Sequence, residues 1–249
     1  MFFVSFGQTQ PFLGQGQKIE RKSWVRTCVI IPTFNEAKAI ASLIKRITEL
    51  GLKAIIIDDG SADDTVKIAA AYGAEVLRNE KNLGKGASLI KGYNFALAQG
   101  FDAVISMDGD GQHSCNDLSA FIRKAETSHS AVIVGNRMAL TKKMPFLRII
   151  TNRLMSKFIS LIVKQDIPDT QCGFRLVTKE VLSRIDLSTS KYETETEILI
   201  KAAHLGFKIE SIPVETIYSG QKSQINPFVD TFRFLRFIIL EFIRLPKHA

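Results

Sequence analysis

The sequence predicts an α/β fold: a mostly parallel sheet covered by helices on both faces. Three observations predict it. Residues 29–31, 54–57 and 103–105 are short, continuously apolar runs, too uniform for strands with one wet face. Helix-length amphipathic segments alternate with them, the pattern of βαβ units. Each run ends in a turn rich in Asp, Gly or Asn, where an α/β sheet presents its binding loops.

The elements follow in order. The first strand, 29–31, is closed by Pro32. The helix after it sets Ile40, Leu43, Ile44, Ile47 and Leu50 on one stripe and stops at Gly51. The second strand, 54–57, runs into Asp58-Asp59-Gly60-Ser61; Ser61 and Asp64 have the spacing of a capping box for a helix over 65–72, ended by Gly73. A third strand at 75–77, a helix at 87–99, a fourth strand at 103–107 and a fifth at 131–134 complete the alternation. Beyond Gly135 come an apolar helix over 145–165, studded with Arg148, Arg153, Lys157 and Lys164, a strand over 174–177 and a helix over 195–205.

Three parts result: a loosely ordered leader (1–25), one α/β domain (26–227) and an amphipathic C-terminal helix (228–249). In the last, Asp230, Arg233, Arg236, Glu241 and Arg244 gather opposite Phe232, Leu235, Ile238, Ile239, Phe242 and Ile243. Both basic amphipathic helices suit the headgroup plane of a membrane.

The chain has 249 residues with 33 Lys+Arg against 25 Asp+Glu, a net charge of +8. That excess favours anionic partners: phosphorylated substrates, an anionic membrane surface or nucleic acid. A nucleic-acid-binding module would interleave basic residues with exposed aromatics on a sheet face, and here the strand ends are acidic. Nucleic acid is therefore not an expected partner. Cys28, Cys115 and Cys172 include no CxxC pair, so neither a disulfide framework nor a zinc knuckle is indicated, and a reducing compartment fits. No signal-peptide core and no uncharged spanning stretch is read, which predicts a cytoplasmic protein peripherally attached to the inner membrane face.

Carboxylates crowd one rim of the predicted sheet: Glu36 after the first strand, Asp58-Asp59 after the second, Asp108 and Asp110 after the fourth. Each alone would pass for a helix cap or a solvated turn. Together they repel unless they share a cation or bind a ligand. Asp108, Asp110 and the amide of Gln112 offer hard oxygen donors that suit Mg²⁺ or Mn²⁺ completed by substrate phosphates. Gly84-Lys85-Gly86 opens a helix without the spacing of a nucleotide-hydrolysing P-loop. His113 is either a ligand or a polar loop residue, and Cys172 reads as a packed small residue.

Six motifs in order then carry a resemblance: Pro32-Thr33-Phe34-Asn35-Glu36, Asp58 through Asp63, Gly84-Lys85-Gly86, Met107 through His113, Gly135-Asn136-Arg137 and Asp169 through Arg175. This set resembles family 2 glycosyltransferases, and within them the dolichyl- or polyprenyl-phosphate mannosyl- and glucosyltransferases. The resemblance implies a GT-A fold and an inverting transfer of a hexose from GDP-mannose or UDP-glucose to a lipid phosphate. It implies donor binding by Pro32, Asn35, Glu36, Asp58, Asp59, Lys85 and Asp108, and a metal on Asp108, Asp110 and Gln112. Candidate catalytic residues are Asp108, Asp110, Arg137, Asp169 and Arg175; Arg137, Arg175, Arg153 and Lys222 are candidates for the acceptor phosphate, since arginine forks suit phosphate oxygens.

A lipid phosphate is already ionised and needs no strong base. A hydroxyl acceptor on a glycan or protein would need one, with Asp169, Glu193, Glu195 and Glu197 available, although the Glu cluster also reads as an acidic helix start. Related enzymes often carry extra spanning helices at the C-terminus; with none read here, an integral membrane partner is a further expected contact.

Overall fold

A computed structural model describes residues 26–128, 130–141, 144–217 and 238. The leader, Lys222 and all of the C-terminal helix except Ile238 lie outside the described residues, and Ile238 is buried against the core.

Seven strands form one sheet in the order β3-β2-β1-β4-β6-β5-β7. They are β1 (Thr27–Thr33), β2 (Lys53–Asp58), β3 (Glu75–Arg78), β4 (Ala103–Ser106), β5 (Val132–Asn136), β6 (Arg175–Thr178) and β7 (Ile209–Pro213). β6 pairs antiparallel with β4 and β5, and the other pairings are parallel. The helices are α1 (Ile40–Glu49), α2 (Thr65–Ala71), α3 (Lys85–Ala98), α4 (Leu118–Ser128), α5 (Phe146–Val163), α6 (Lys179–Leu182) and α7 (Thr194–His204).

The apolar runs form the strands because a sheet covered on both faces buries both side-chain rows. Val29, Ile30, Ile31, Ile55, Ile56, Ile57, Val104 and Ile105 are all fully buried. α1 turns Ile40, Leu43, Ile44 and Ile47 into this core, as its stripe predicts, while Leu50 of that stripe falls at the C-cap and stays exposed. Three features differ from the expectation. The Ser61/Asp64 capping box does not form: Ser61 Oγ accepts from the Asn35 N–H (2.9 Å), and it is Asp63 that receives Thr65 N–H (3.0 Å). β7 and α4 stand where no element is predicted, and β6 runs against its neighbours.

The strand order reverses between β1 and β4, so the carboxyl ends of these adjacent strands open the crevice where ligands of α/β sheets bind. Pro32, Thr33 and the loop after Ser106 all reach this place.

Candidate active site

Two loops line the crevice on the β1–β2 side and are stitched together. Asn35, at a positive φ of 60°, accepts Ala62 N–H on its Oδ1 (2.8 Å), and Glu36 N–H donates to Thr65 Oγ1 (2.8 Å). Asp58 is fully buried, accepting Ser61 N–H (3.1 Å) and pairing with Arg78 (3.3 Å). Asp59 receives the backbone N–H groups of Leu83 (2.9 Å) and Gly84 (2.8 Å) and the Asn79 amide (2.9 Å), thereby fixing the turn that opens α3. Both aspartates are turned inward and shape the cradle through these bonds.

Lys85, the first residue of α3, reaches into the crevice. Its ammonium lies 2.5 Å from Asp108 Oδ1 and 3.1 Å from Glu195 Oε1, while His113 Nε2 lies 3.2 Å from Asp108 Oδ2. Burial opposes the charge on Lys85, yet the two carboxylates outweigh it and hold its pKa above the ordinary lysine value. Burial likewise opposes the Asp108 charge, and Lys85 and His113 overcome it, holding the carboxyl well below its usual range. The Lys85–Glu195 contact is an ion pair by distance without hydrogen-bond direction, so Glu195 Oε1 is buried with no hydrogen-bond donor.

Asp110 differs from Asp108. Burial and the Asp108 charge raise its pKa, and Gln112 N–H donates to its Oδ1 (2.9 Å). Glu36 is pushed up to about 7, by burial first and then by Asp110, Asp108 and Asp63. The rim therefore carries more negative charge than its own cations neutralise, as the sequence pattern implies. Asp108, Asp110 and the amide of Gln112 fit a hard divalent ion by donor type, and among the described residues no cluster of three or more His, Cys, Asp or Glu forms a cage. A metal held here would complete its shell with ligand oxygens.

Two glycines make room. A Cβ on Gly109 would lie 2.9 Å from Thr33 Cγ2, and one on Gly173 would lie 2.9 Å from both Asp108 oxygens and from Glu195 Oε1. The 169–175 loop thus approaches the carboxylates with bare backbone. The segment after β7 braces the other side: Ile217 N–H donates to Gln112 O (2.9 Å), Glu215 N–H donates to Asp117 (3.0 Å), and His113 pairs with Thr216 and packs its ring on Phe174.

The remaining predicted residues fall into a second layer. Arg137 is buried and grips Asp169 with two bonds, Nε to Oδ2 (2.8 Å) and Nη2 to Oδ1 (3.0 Å). Arg175 is fully buried, donating to the carbonyls of Cys172 (2.7 Å), Thr170 (2.8 Å) and Glu195. In this geometry both guanidiniums hold the 169–175 loop in shape, and Asp169 is committed to Arg137. Burial pushes the Cys172 thiol up to about 11, in keeping with a packed residue. Arg153 stands apart, exposed on α5 in a shallow groove shared with Lys157 and Lys164. One turn further along α5, Ser156 Oγ accepts Thr170 N–H (2.8 Å), which ties that helix to the loop.

Glu197 has a larger part than a helix start. Fully buried, it receives Ser188 N–H (2.9 Å) and Oγ–H (2.8 Å), Thr189 N–H (3.0 Å) and Oγ–H (2.6 Å), and Lys201 (2.6 Å). The clamped loop then lays the Ser190 carbonyl on Ala87 N–H (3.0 Å) and the Lys191 side chain over Gly84. The two hydroxyls shortly before an acidic helix turn were the sequence signal for this clamp. Glu193 is half-buried at the head of the same helix.

A sequence profile of glycosyl transferase family 2 matches residues 28–186. The chain belongs to this family. Among its relatives, the UDP-N-acetylglucosamine–dolichyl-phosphate N-acetylglucosaminyltransferase of Methanococcus voltae is 29% identical over 214 residues, covering 77% of this chain and 85% of that protein. The polyprenol monophosphomannose synthase of Mycolicibacterium smegmatis is 25% identical over 203 residues, 76% of each. Glucosyl-3-phosphoglycerate synthase from Mycobacterium tuberculosis, solved with Mn²⁺, UDP and phosphoglyceric acid, superposes with a TM-score of 0.67 at 20% identity over 86% of this chain and 76% of that one. This family 2 glycosyltransferase therefore has the GT-A fold, as its motifs imply.

Proposed function

We propose that the enzyme transfers a hexose, with inversion, from a nucleotide diphosphate sugar to a polyprenyl-type lipid phosphate at a membrane surface, with Mg²⁺ or Mn²⁺ as cofactor. The observation that carries the lipid acceptor is the outer face of α5. Leu147, Ile150, Leu154, Phe158 and Leu161 form one helical stripe, with Leu147 74% and Leu161 70% exposed. Arg153, Lys157 and Lys164 flank it. An apolar stripe edged by cations fits the boundary between acyl chains and anionic headgroups, and the Ser156–Thr170 bond on the buried side of α5 ties the helix to the loop beside Asp108. No helix among the described residues is long and apolar enough to cross a membrane. The relatives named for dolichyl phosphate and polyprenol support the same acceptor class.

The geometry supports the following roles. Pro32, Asn35 and Glu36, on loops fixed by Asp58 and Asp59, form the donor cradle beside Asp108. Asp108, Asp110 and Gln112 would hold the cation, whose chemistry is to neutralise charge on the departing diphosphate. Lys85 lies beside these carboxylates and supplies a second positive charge to the donor. The acceptor's phosphate oxygen forms the new bond to the anomeric carbon as the bond to the diphosphate breaks on the opposite face, and no proton has to be removed. Arg137 and Arg175 position the loop that orients the acceptor, and Arg153, with Lys222 outside the described residues, meets the headgroup.

The alternative acceptor, a hydroxyl, would need a base. Asp169 and Glu197 are committed to Arg137 and to the 188–189 loop, leaving the half-buried Glu193 and Glu195, whose Oε1 faces the Lys85 ammonium. Incubation of the enzyme with radiolabelled UDP-glucose or GDP-mannose, Mn²⁺ and a short polyprenyl phosphate tests the reading. Label is expected in butanol-extractable lipid from one donor. Label confined to released hexose or to a soluble glycan would reject the lipid acceptor.

A further inference from the structure

Both carboxylate oxygens of Asp108 already have partners: Oδ1 the Lys85 ammonium at 2.5 Å, and Oδ2 the imidazole of His113 at 3.2 Å. A divalent ion bonds a carboxylate oxygen at about 2.0–2.2 Å, closer than the ammonium sits. Two cations on one oxygen would stand within a few ångströms of each other in a half-buried crevice, where water screens their repulsion only in part. Lys85 also touches Glu195, so its charge is shared by the half-buried Asp108 and the buried Glu195.

Lysine is suited to leaving. Its charge ends a flexible four-carbon stem, and the stem here starts at the first residue of α3, beside Gly84 at a φ of +104°. Asp110 is placed otherwise, with no basic side chain bonded to it among the described residues and its Oδ1 taken by a backbone N–H.

Building on the donor and metal reading above, we infer that Lys85 is a resident counter-cation. It neutralises Asp108 in the donor-free enzyme and surrenders that carboxylate to the divalent ion only when an incoming diphosphate offers the ammonium a new partner. Metal and donor binding are then positively coupled, and by reciprocity each tightens the other. The device keeps the acidic rim compact without a metal and commits the metal to donor-loaded enzyme.

Mn²⁺ titration followed by electron paramagnetic resonance of the free ion tests this without turnover. It is run on wild type, Lys85→Met and Lys85→Arg, alone and with UDP or GDP, and corrected for Mn²⁺ bound by nucleotide. Wild type and Lys85→Arg are expected to bind Mn²⁺ weakly alone and at least tenfold more tightly with the nucleotide of the donor. Lys85→Met is expected to bind Mn²⁺ alone at least tenfold more tightly than wild type, with the nucleotide effect largely gone. Should Lys85→Met misfold, Lys85→Gln takes its place under the same expectation, with circular dichroism confirming the fold. Unchanged or weaker Mn²⁺ binding by the neutral variant, or tight binding by wild type without nucleotide, overturns the exchange and leaves the metal assignment standing. Failure of every protein to bind Mn²⁺ under any condition overturns both.

Discussion

Replacing Asp169 with alanine isolates the second layer of the site. Asp169 is 0% exposed and accepts four hydrogen bonds: Arg137 Nε (2.8 Å), Nη2 (3.0 Å) and N–H (3.1 Å), and Gln171 N–H (3.2 Å). Its removal leaves a buried guanidinium without a counter-charge, which costs about 3–5 kcal/mol. For a domain of this size each kcal/mol moves Tm by about 2–4 °C, so the melting point should fall by roughly 6–20 °C. Urea unfolding at constant m measures the loss directly. The double variant Arg137→Met/Asp169→Leu replaces the pair with apolar groups and is expected to recover most of the stability, because a buried ion pair gains little over a well-packed apolar one. It should remain inactive, since the loop has lost the group that orients it. A loss below about 1 kcal/mol in the single variant, together with abolished turnover, would refute this reasoning and make Asp169 a reacting group rather than a positioning one.

Three further outcomes follow from the same geometry. Glu197→Ala strips the acceptor from Ser188, Thr189 and Lys201; a loss of about 3 kcal/mol in urea unfolding is expected, with donor KM raised more than kcat is lowered because the freed loop no longer seats the turn carrying Lys85. Glu36, raised to about 7, favours its neutral form in the folded protein, so its stabilising share is full below its ordinary value of 4.5 and is lost as pH rises through about 7. Glu36→Gln should therefore raise the metal-free Tm at pH 8 and leave it nearly unchanged at pH 4.5, and an equal offset at both would contradict the shift. On α5, the triple change Leu147→Ser, Leu154→Ser and Leu161→Ser touches exposed side chains, and should preserve Tm while weakening sedimentation with anionic vesicles roughly tenfold or more.

The sequence made some of this architecture legible and hid the rest for physical reasons. β1, β2 and β4 announced themselves because strands buried on both faces must be apolar throughout, and the stripe of α1 because one face meets the core. The direction of β6 was invisible, since side-chain alternation is the same for parallel and antiparallel pairing. α4 was missed with only Leu118 and Phe121 fully buried, too few to mark a stripe. The capping-box spacing at Ser61 misled because a hydroxyl competes for partners in three dimensions, and Asn35 from another loop won it.

At the site, residue type was legible and employment was not. Asp108, Lys85 and Glu195 do converge, and His113 sits on Asp108. Arg137 and Arg175, read as phosphate ligands, turn their forks inward, because a guanidinium satisfies carbonyls and a carboxylate as readily as a phosphate. Only the placement of partners in three dimensions separates those uses. Lys222 remains an expectation outside the described residues.

The acceptor proposed for this enzyme is a lipid phosphate. The most direct measurement compares a short polyprenyl phosphate with the matching polyprenol, using the preferred nucleotide sugar and Mn²⁺, and identifies the lipid product by mass spectrometry. A hexosyl phosphate lipid formed from the phosphate alone, with none from the alcohol, is the predicted result. Equal glycosylation of the alcohol would contradict a lipid-phosphate acceptor, because it would require a base that this site does not otherwise need.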